Sequence, residues 1–296
     1  MKISELLKTK ATISFEVFPP KNKNGDISSI YKTIDELAKL KPDFISVTYG
    51  AGGSTKGKTV EIASKIKNEY GIEAVAHLTC ISSTKEDIHR ICQELKENHI
   101  ENILALRGDY PKDEQLDQDH LDFHYARELN EYIETNFPDT FCLSGACYPE
   151  VHQEAECFEE DLKALKEKVD AGAKYLITQI FFDNQYYYRL VKEARKMGIT
   201  VPILAGIMPM TNAKSLLHTA KMCGCSIPYQ LSTMIESYFH YPEAAKEIGI
   251  HYAIHQIIDL ITNGVDGIHI YTMNKPEIAQ AIFQNIPTVL KELNHE

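Results

Sequence analysis

The sequence predicts one (β/α)₈ barrel, the TIM-barrel class, across residues 1–296. Three observations predict it. Eight short β-branched runs recur along the chain, amphipathic helical stretches separate them, and 296 residues suit a fold that typically uses about 250. Strands alternating with helices imply parallel βαβ units, and eight such units imply closure.

The strand runs are expected at residues 12–18, 43–49, 73–80, 102–107, 141–147, 175–181, 201–206 and 267–271. Helical stretches are expected at 27–40, 58–70, 84–98, 121–136 and 155–171. The first shows helical spacing well, with Ile30, Ile34, Leu37 and Leu40 on one stripe. Tyr186, Tyr187 and Tyr188 are expected as packing on the helix after the sixth strand. The seventh connection, from Met208 to Val265, is long and should hold extra helices. No linker, low-complexity segment or repeat of 20–50 residues divides the chain.

Bulk properties narrow the function classes. Hydrophobic residues make up 44% and charged residues 25%, normal for a soluble globular protein. The net charge is −11 with no basic block, which argues against a nucleic-acid surface. No run of about 18 apolar residues predicts a membrane span, and the first residues lead into no apolar signal segment. The seven Cys are odd in number and scattered, so a disulfide framework is not expected and a cytoplasmic location is. Cys223-Gly224-Cys225 reads as ordinary thiols, because no partner pair at metal-site spacing accompanies it, and no metal is expected.

Side chains alternate faces along a strand. The more apolar face of each strand is expected to meet the outer helices and the more polar face to point into the barrel. On this rule Glu16, Thr48, His77, Arg107 and Tyr271 point inward late in their strands, and Asp109 follows the fourth. In that fourth strand Leu104 and Leu106 are expected outward, opposite Ala105 and Arg107. The sixth strand is ambiguous, because Gln179 shares parity with Tyr175 and Ile177. Late inward polar residues are where barrel enzymes keep catalytic groups.

Glu16 stands between aromatic residues in Ser14-Phe15-Glu16-Val17-Phe18. Lost hydration there should raise its pKa toward that of a general acid; the alternative is a structural ion pair with Arg107 across the barrel. Arg107-Gly108-Asp109 offers a guanidinium fork, a flexible glycine and a carboxylate, or else a plain rim salt bridge. His77 is either a core histidine or a ligand. Tyr148-Pro149-Glu150-Val151-His152 concentrates polar and aromatic groups after the fifth strand. The Gly-rich loop after Tyr49 lacks a full nucleotide-binding motif.

Together these segments resemble the methylenetetrahydrofolate reductase family. The matching motifs are SFEVFPPK, DFISVTYGAGGS, AHLTCI, ILALRGD, ACYPEVHQEA, DAGAKYLITQIFFD, PILAGIMPMTN and GIHIYTMNKPE, in order along nearly the whole chain. The length resembles the family's catalytic barrel alone. The resemblance implies a cytoplasmic FAD enzyme of one-carbon metabolism and methionine biosynthesis, reduced by NADH or NADPH in a ping-pong cycle. It implies that Thr48, Tyr49, Ala51, His77, Arg107, Gly108, Asp109, Ala126, Tyr148, His152, Asp161 and Lys168 line the flavin. It also implies that Glu16 is the general acid, that Asp109 faces the pterin, and that Gln179, Tyr271 and Lys275 bind substrate.

Three positions depart from the bacterial pattern. Lys275 stands where relatives carry Arg, keeping the charge without the bidentate fork. Glu167 replaces a basic residue near the flavin pyrophosphate, and Ser215 replaces a folate-touching Gln. A homo-oligomer is expected. One rival is the same reductase fed by an electron-donating partner protein. A second is a non-catalytic folate-binding or assembly barrel, which should have lost Glu16 or Asp109. A third is a flavin-free lyase, which usually shows a Schiff-base Lys at a strand end; none of the strand ends carries one.

Overall fold

The computed structural model describes residues 1–20, 27–49, 56–110 and 121–294, excluding the side chains of residues 56 and 57. The chain opens with a short helix, α1 (Ile3–Leu6), followed by β1 (Thr12–Val17) and α2 (Ser28–Ala38). Then come β2 (Phe44–Val47), α3 (Lys56–Asn68), β3 (Glu73–Thr79), α4 (Lys85–Glu97) and β4 (Asn102–Leu106). The alternation continues through α5 (Ala126–Asn136), β5 (Cys142–Cys147), α6 (Phe158–Asp170), β6 (Tyr175–Thr178), α7 (Asn184–Lys196) and β7 (Ile203–Ile207). Three helices fill the seventh connection: α8 (Ala213–Cys223), α9 (Tyr229–Ser237) and α10 (Pro242–Thr262). The chain then closes through β8 (Gly267–Tyr271), α11 (Pro276–Asn285) and α12 (Pro287–Lys291).

The eight strands are parallel, and β8 pairs with β1 to close the barrel. The expected alternation of strand and helix is therefore present, as are the extra helices before the last strand. Local chemistry sets several helix ends. Thr84 caps α4 by accepting a bond from Asp87 N at 3.1 Å, and Asn212 caps α8 by accepting from Ser215 N at 2.8 Å. Tyr186, Tyr187 and Tyr188 lie on α7, where Tyr187 is buried and donates its hydroxyl to Ile203 O at 2.7 Å.

Two apolar layers hold the barrel. Between strands and helices, Phe15, Ile45, Leu78, Ala105, Leu176 and Ile270 pack against the helical stripes. Inside the barrel, Phe44, Val75, Leu104, Tyr175, Ile177 and Leu204 form a separate plug. Ile3 of α1 joins that plug from the N-terminal end, fully buried, with its N–H donating to Asn102 Oδ1 at 2.8 Å. Burying one such side chain stabilises by roughly 2 kcal/mol, so α1 is a lid on the barrel floor.

The fourth strand corrects the parity expectation. Leu104 and Leu106 face the interior plug, and Ala105 faces the helices. The floor of a barrel is packed with bulky apolar side chains, so an apolar face there does not mark the outside. In β6, Tyr175 and Ile177 point inward and Leu176 outward, which removes the ambiguity. Among the described residues, no helix is long and apolar enough to cross a membrane.

Candidate active site

The interior changes character above the apolar plug. Glu16 on β1, His77 on β3 and His269 on β8 converge there, at 6%, 6% and 0% exposure. Glu16 Oε2 lies 3.3 Å from His77 Nε2, 3.6 Å from His269 Nε2 and 3.5 Å from the hydroxyl of Ser46 on β2. The register makes this meeting possible, because Glu16 pairs with Ser46 on one side and Tyr271 on the other. Ser14 Oγ pairs with His269 Nδ1 at 2.7 Å, and Phe44 stacks on the His269 ring at 5.8 Å between centroids.

His77 Nε2 is buried and has no hydrogen-bond partner among the described residues, since its approach to Glu16 lacks hydrogen-bond alignment. Burial, only partly offset by Glu16, pushes the His77 pKa down to about 4. The imidazole facing Glu16 is therefore neutral at pH 7. The alternative of a structural ion pair between Glu16 and Arg107 is not what the structure shows. Arg107 leaves the end of β4 at the rim and binds Glu154 of the β5–α6 loop through both terminal nitrogens. That bond, ahead of the opposing effect of burial, raises the Arg107 pKa and lowers that of Glu154.

The other expected residues gather on the C-terminal rim. Gly108 has φ +86°, and a Cβ there would stand 3.0 Å from Thr79 Cβ, so both backbone and space demand glycine. Asp109 follows, exposed. Tyr148 and His152 pack edge to face at 4.6 Å, and Asp161 on α6 accepts a bond from His152 N at 2.8 Å. Burial raises the Tyr148 pKa to about 12, lowers that of His152 and raises that of Asp161. Lys168 is partly accessible by area, yet its ammonium end is enclosed and donates to Ala146 O at 2.6 Å. Burial lowers its pKa.

Thr48 and Tyr49 follow β2, and the Tyr49 hydroxyl is a second buried polar atom lacking a partner among the described residues. Ala126 is buried at the start of α5. Ala51 and the rest of the Gly-rich loop at 50–54 lie outside the described residues. Gln179 sits just beyond β6 with its Oε1 accepting from Ile180 N at 2.8 Å. Tyr271 lies across the interior and donates to Thr178 O at 2.7 Å. Gly206 on β7 makes room for it, because a Cβ there would stand 2.7 Å from the Tyr271 ring. Lys275 is exposed on the loop after β8, and Ser215 lies in the first turn of α8. Glu167 pairs with Arg127 on the outer surface.

Residue-by-residue reading overlooked four contributors. Alternation puts His269, Ser46 and Ser14 on the inner face, but nothing local in the sequence marks them as site residues. Glu154 could not be found that way, because its contact with Arg107 spans two loops. The clefts between outer helices, one lined by Arg127 and Glu131 and one by Tyr31 and Lys65, are far from these strand ends. The site is located by its chemistry at the barrel mouth.

Comparison with known proteins identifies a family. The family model for methylenetetrahydrofolate reductase matches residues 2–287. The 5,10-methylenetetrahydrofolate reductase of Pectobacterium carotovorum is 38% identical, over 93% of this chain and 90% of its own. That of Escherichia coli is 37% identical, over 91% and 88%. Methylenetetrahydrofolate reductase (NADH) 1 of Arabidopsis thaliana is 35% identical over 97% of this chain, but the chain spans only 51% of that relative's length. A solved structure from Clostridium thermocellum shares the fold, with a TM-score of 0.66 at 15% identity, covering 98% of this chain and 100% of its own. With the family model spanning almost every element of the barrel and bacterial relatives aligned over most of both chains, this chain belongs to the methylenetetrahydrofolate reductase family.

Proposed function

We propose that this chain reduces 5,10-methylenetetrahydrofolate to 5-methyltetrahydrofolate in a ping-pong cycle, with electrons from NADH or NADPH passing through FAD. The observation that carries the proposal is the enclosed Glu16 carboxyl facing a neutral His77 at the C-terminal end of the barrel. Its bacterial relatives are named for this reaction, and the plant relatives are named for NADH. The Clostridium thermocellum neighbour is described as binding two copies of 5-methyl-5,6,7,8-tetrahydrofolic acid.

The residues fit an FAD. His77 Nε2 is a buried polar atom without a partner among the described residues, and such an atom is costly unless a ligand meets it. Arg107 and Lys168 bring cations to neighbouring strand ends, with the Tyr148 and His152 rings beside them. These side chains, with Thr48, Gly108, Asp109, Ala126 and Asp161, would hold the flavin and its diphosphate. A bound FAD, once reduced, supplies the hydride.

This chain's own residues handle the charge. The methylene carbon of the substrate is bridged between N5 and N10 and accepts hydride poorly. A proton from the Glu16 carboxyl to N10 opens that ring and leaves an iminium at N5. A neutral His77 adds no positive charge beside Glu16. The Asp109 carboxylate stabilises the developing cation. Gln179 and Tyr271 orient the pterin, and Lys275 meets the carboxylate tail. The test is direct. Purified protein should be yellow, release FAD and not FMN on denaturation, be bleached once by a nicotinamide donor alone, and oxidise that donor catalytically when methylenetetrahydrofolate is present to complete the cycle. A colourless protein that cannot be reconstituted with FAD would overturn the reading.

A further inference from the structure

Strand β1 ends at Val17, and its last ladder partner on β2 is Val47. On the other side its ladder with β8 stops at Glu16 opposite Tyr271. Phe18 is therefore past both ladders, and Pro19 and Pro20 follow it with no N–H groups to donate. Its peptide is nevertheless fully paired by one side chain. Phe18 N donates to Asn274 Oδ1 at 2.9 Å, and Asn274 Nδ2 donates to Phe18 O at 2.8 Å. An amide side chain here does what a neighbouring strand's peptide would do. Thr272 adds a third tie, donating its hydroxyl to Glu16 O at 2.7 Å.

The backbone is contorted to make this clamp. Met273 and Asn274 have consecutive left-handed φ values of +52° and +58°. Asn tolerates that region, but an unbranched apolar residue such as Met rarely visits it. Met273 is 48% exposed, so burial does not compensate the strain. Strained residues persist where surrounding contacts over-determine them, and they cluster at functional sites. Here the contacts tie the loop carrying Lys275 to the strand end carrying Glu16.

We propose that Asn274 is a positioning residue for Glu16: its amide extends the β1–β8 ladder past the last strand residue and fixes where the Glu16 carboxyl points. Asn274 holds Phe18 two residues after Glu16, and Thr272 of the same loop bonds Glu16 O directly, so the path of this loop sets the backbone from which the carboxyl projects. The same clamp holds Lys275, the next residue along, in register with that acid. The inference rests on Glu16 being the proton donor of the proposed reaction.

Two variants test it in the full chain. Asn274→Gly removes the clamp yet accepts the left-handed φ without strain, so it should fold. Asn274→Asp keeps the acceptor for Phe18 N and loses the donor to Phe18 O. In stopped-flow measurements, flavin reduction by the nicotinamide donor should match the parent for both. Reoxidation by methylenetetrahydrofolate should fall about 10- to 100-fold for Gly, as expected for a misplaced group, and less for Asp. The fall should appear in kcat rather than in KM. Reoxidation within twofold of the parent, or equal slowing of both half-reactions, would overturn the inference. An independent readout is the titration of the Glu16 carboxyl, followed by ¹³C NMR with Glu16→Gln assigning the signal. Its midpoint should move in Asn274→Gly, and an unmoved midpoint counts against the clamp. A parent protein that fails to turn over would sink the reductase reading instead, and the titration would still decide the role of Asn274.

Discussion

Replacing Glu16 with Gln separates a catalyst from a scaffold. The carboxyl is enclosed, with His77, His269 and Ser46 at 3.3–3.6 Å around one oxygen. Gln has nearly the same volume. At that oxygen's position a Gln can place its amide nitrogen, to donate to the neutral His77 Nε2 that otherwise lacks a partner among the described residues, or its carbonyl, to accept from the Ser46 hydroxyl. The structural cost should therefore be about 1 kcal/mol, the net worth of one hydrogen bond. The catalytic cost is larger, because an amide cannot donate a proton as an acid. Losing a general acid slows a step about 10²–10⁴-fold, or roughly 3–5 kcal/mol of barrier. Only the folate half-reaction uses that proton. Stopped-flow spectra should thus show near-normal flavin reduction by the donor and reoxidation slowed by that factor. Equal slowing of both halves, or unaltered reoxidation, would refute the assignment. Because Arg107 binds Glu154 and not Glu16, flavin loss through a freed Arg107 is not expected in this variant.

Two further outcomes follow from the site. Lys275 is exposed, so its contact with a folate carboxylate is solvent-screened: Lys275→Met should raise the folate KM about two- to fivefold and Lys275→Arg should lower it, with donor-side flavin reduction unchanged in both. An unmoved folate KM in both variants would remove Lys275 from the site. His77 titrates at about 4 in the folded chain against 6.5 in its absence, so the unfolded chain binds the proton first and stability must fall as pH drops through that window. The contribution of this one residue is up to about 3 kcal/mol, and denaturant unfolding of His77→Gln should show a shallower loss between pH 7 and 4 than the parent. Parallel slopes would mean that His77 is already protonated in the native protein.

The architecture was legible in the sequence because its signals are local. Eight β-branched runs, the stripe of Ile30, Ile34 and Leu37, and the length of the seventh connection each report on neighbours in the chain. Alternation placed Ser14, Glu16 and Ser46 on the inner face, since period two is a property of the strand itself. Alternation also holds on β4, but the expectation that the more apolar face points outward fails there, where Leu104 and Leu106 face inward. A barrel floor is as apolar as its outside, and position along the barrel axis cannot be read from one strand. Partnerships were decided only by the tertiary structure. Glu16 meets His77 from a strand two places away, Arg107 meets Glu154 from another loop, and Asn274 closes on Phe18 across 256 residues. Such contacts depend on strand register, barrel closure and loop path, which are set jointly by the whole fold. Residue types therefore announced the chemistry available at the rim, while closure of β8 onto β1 determined which of those groups touch.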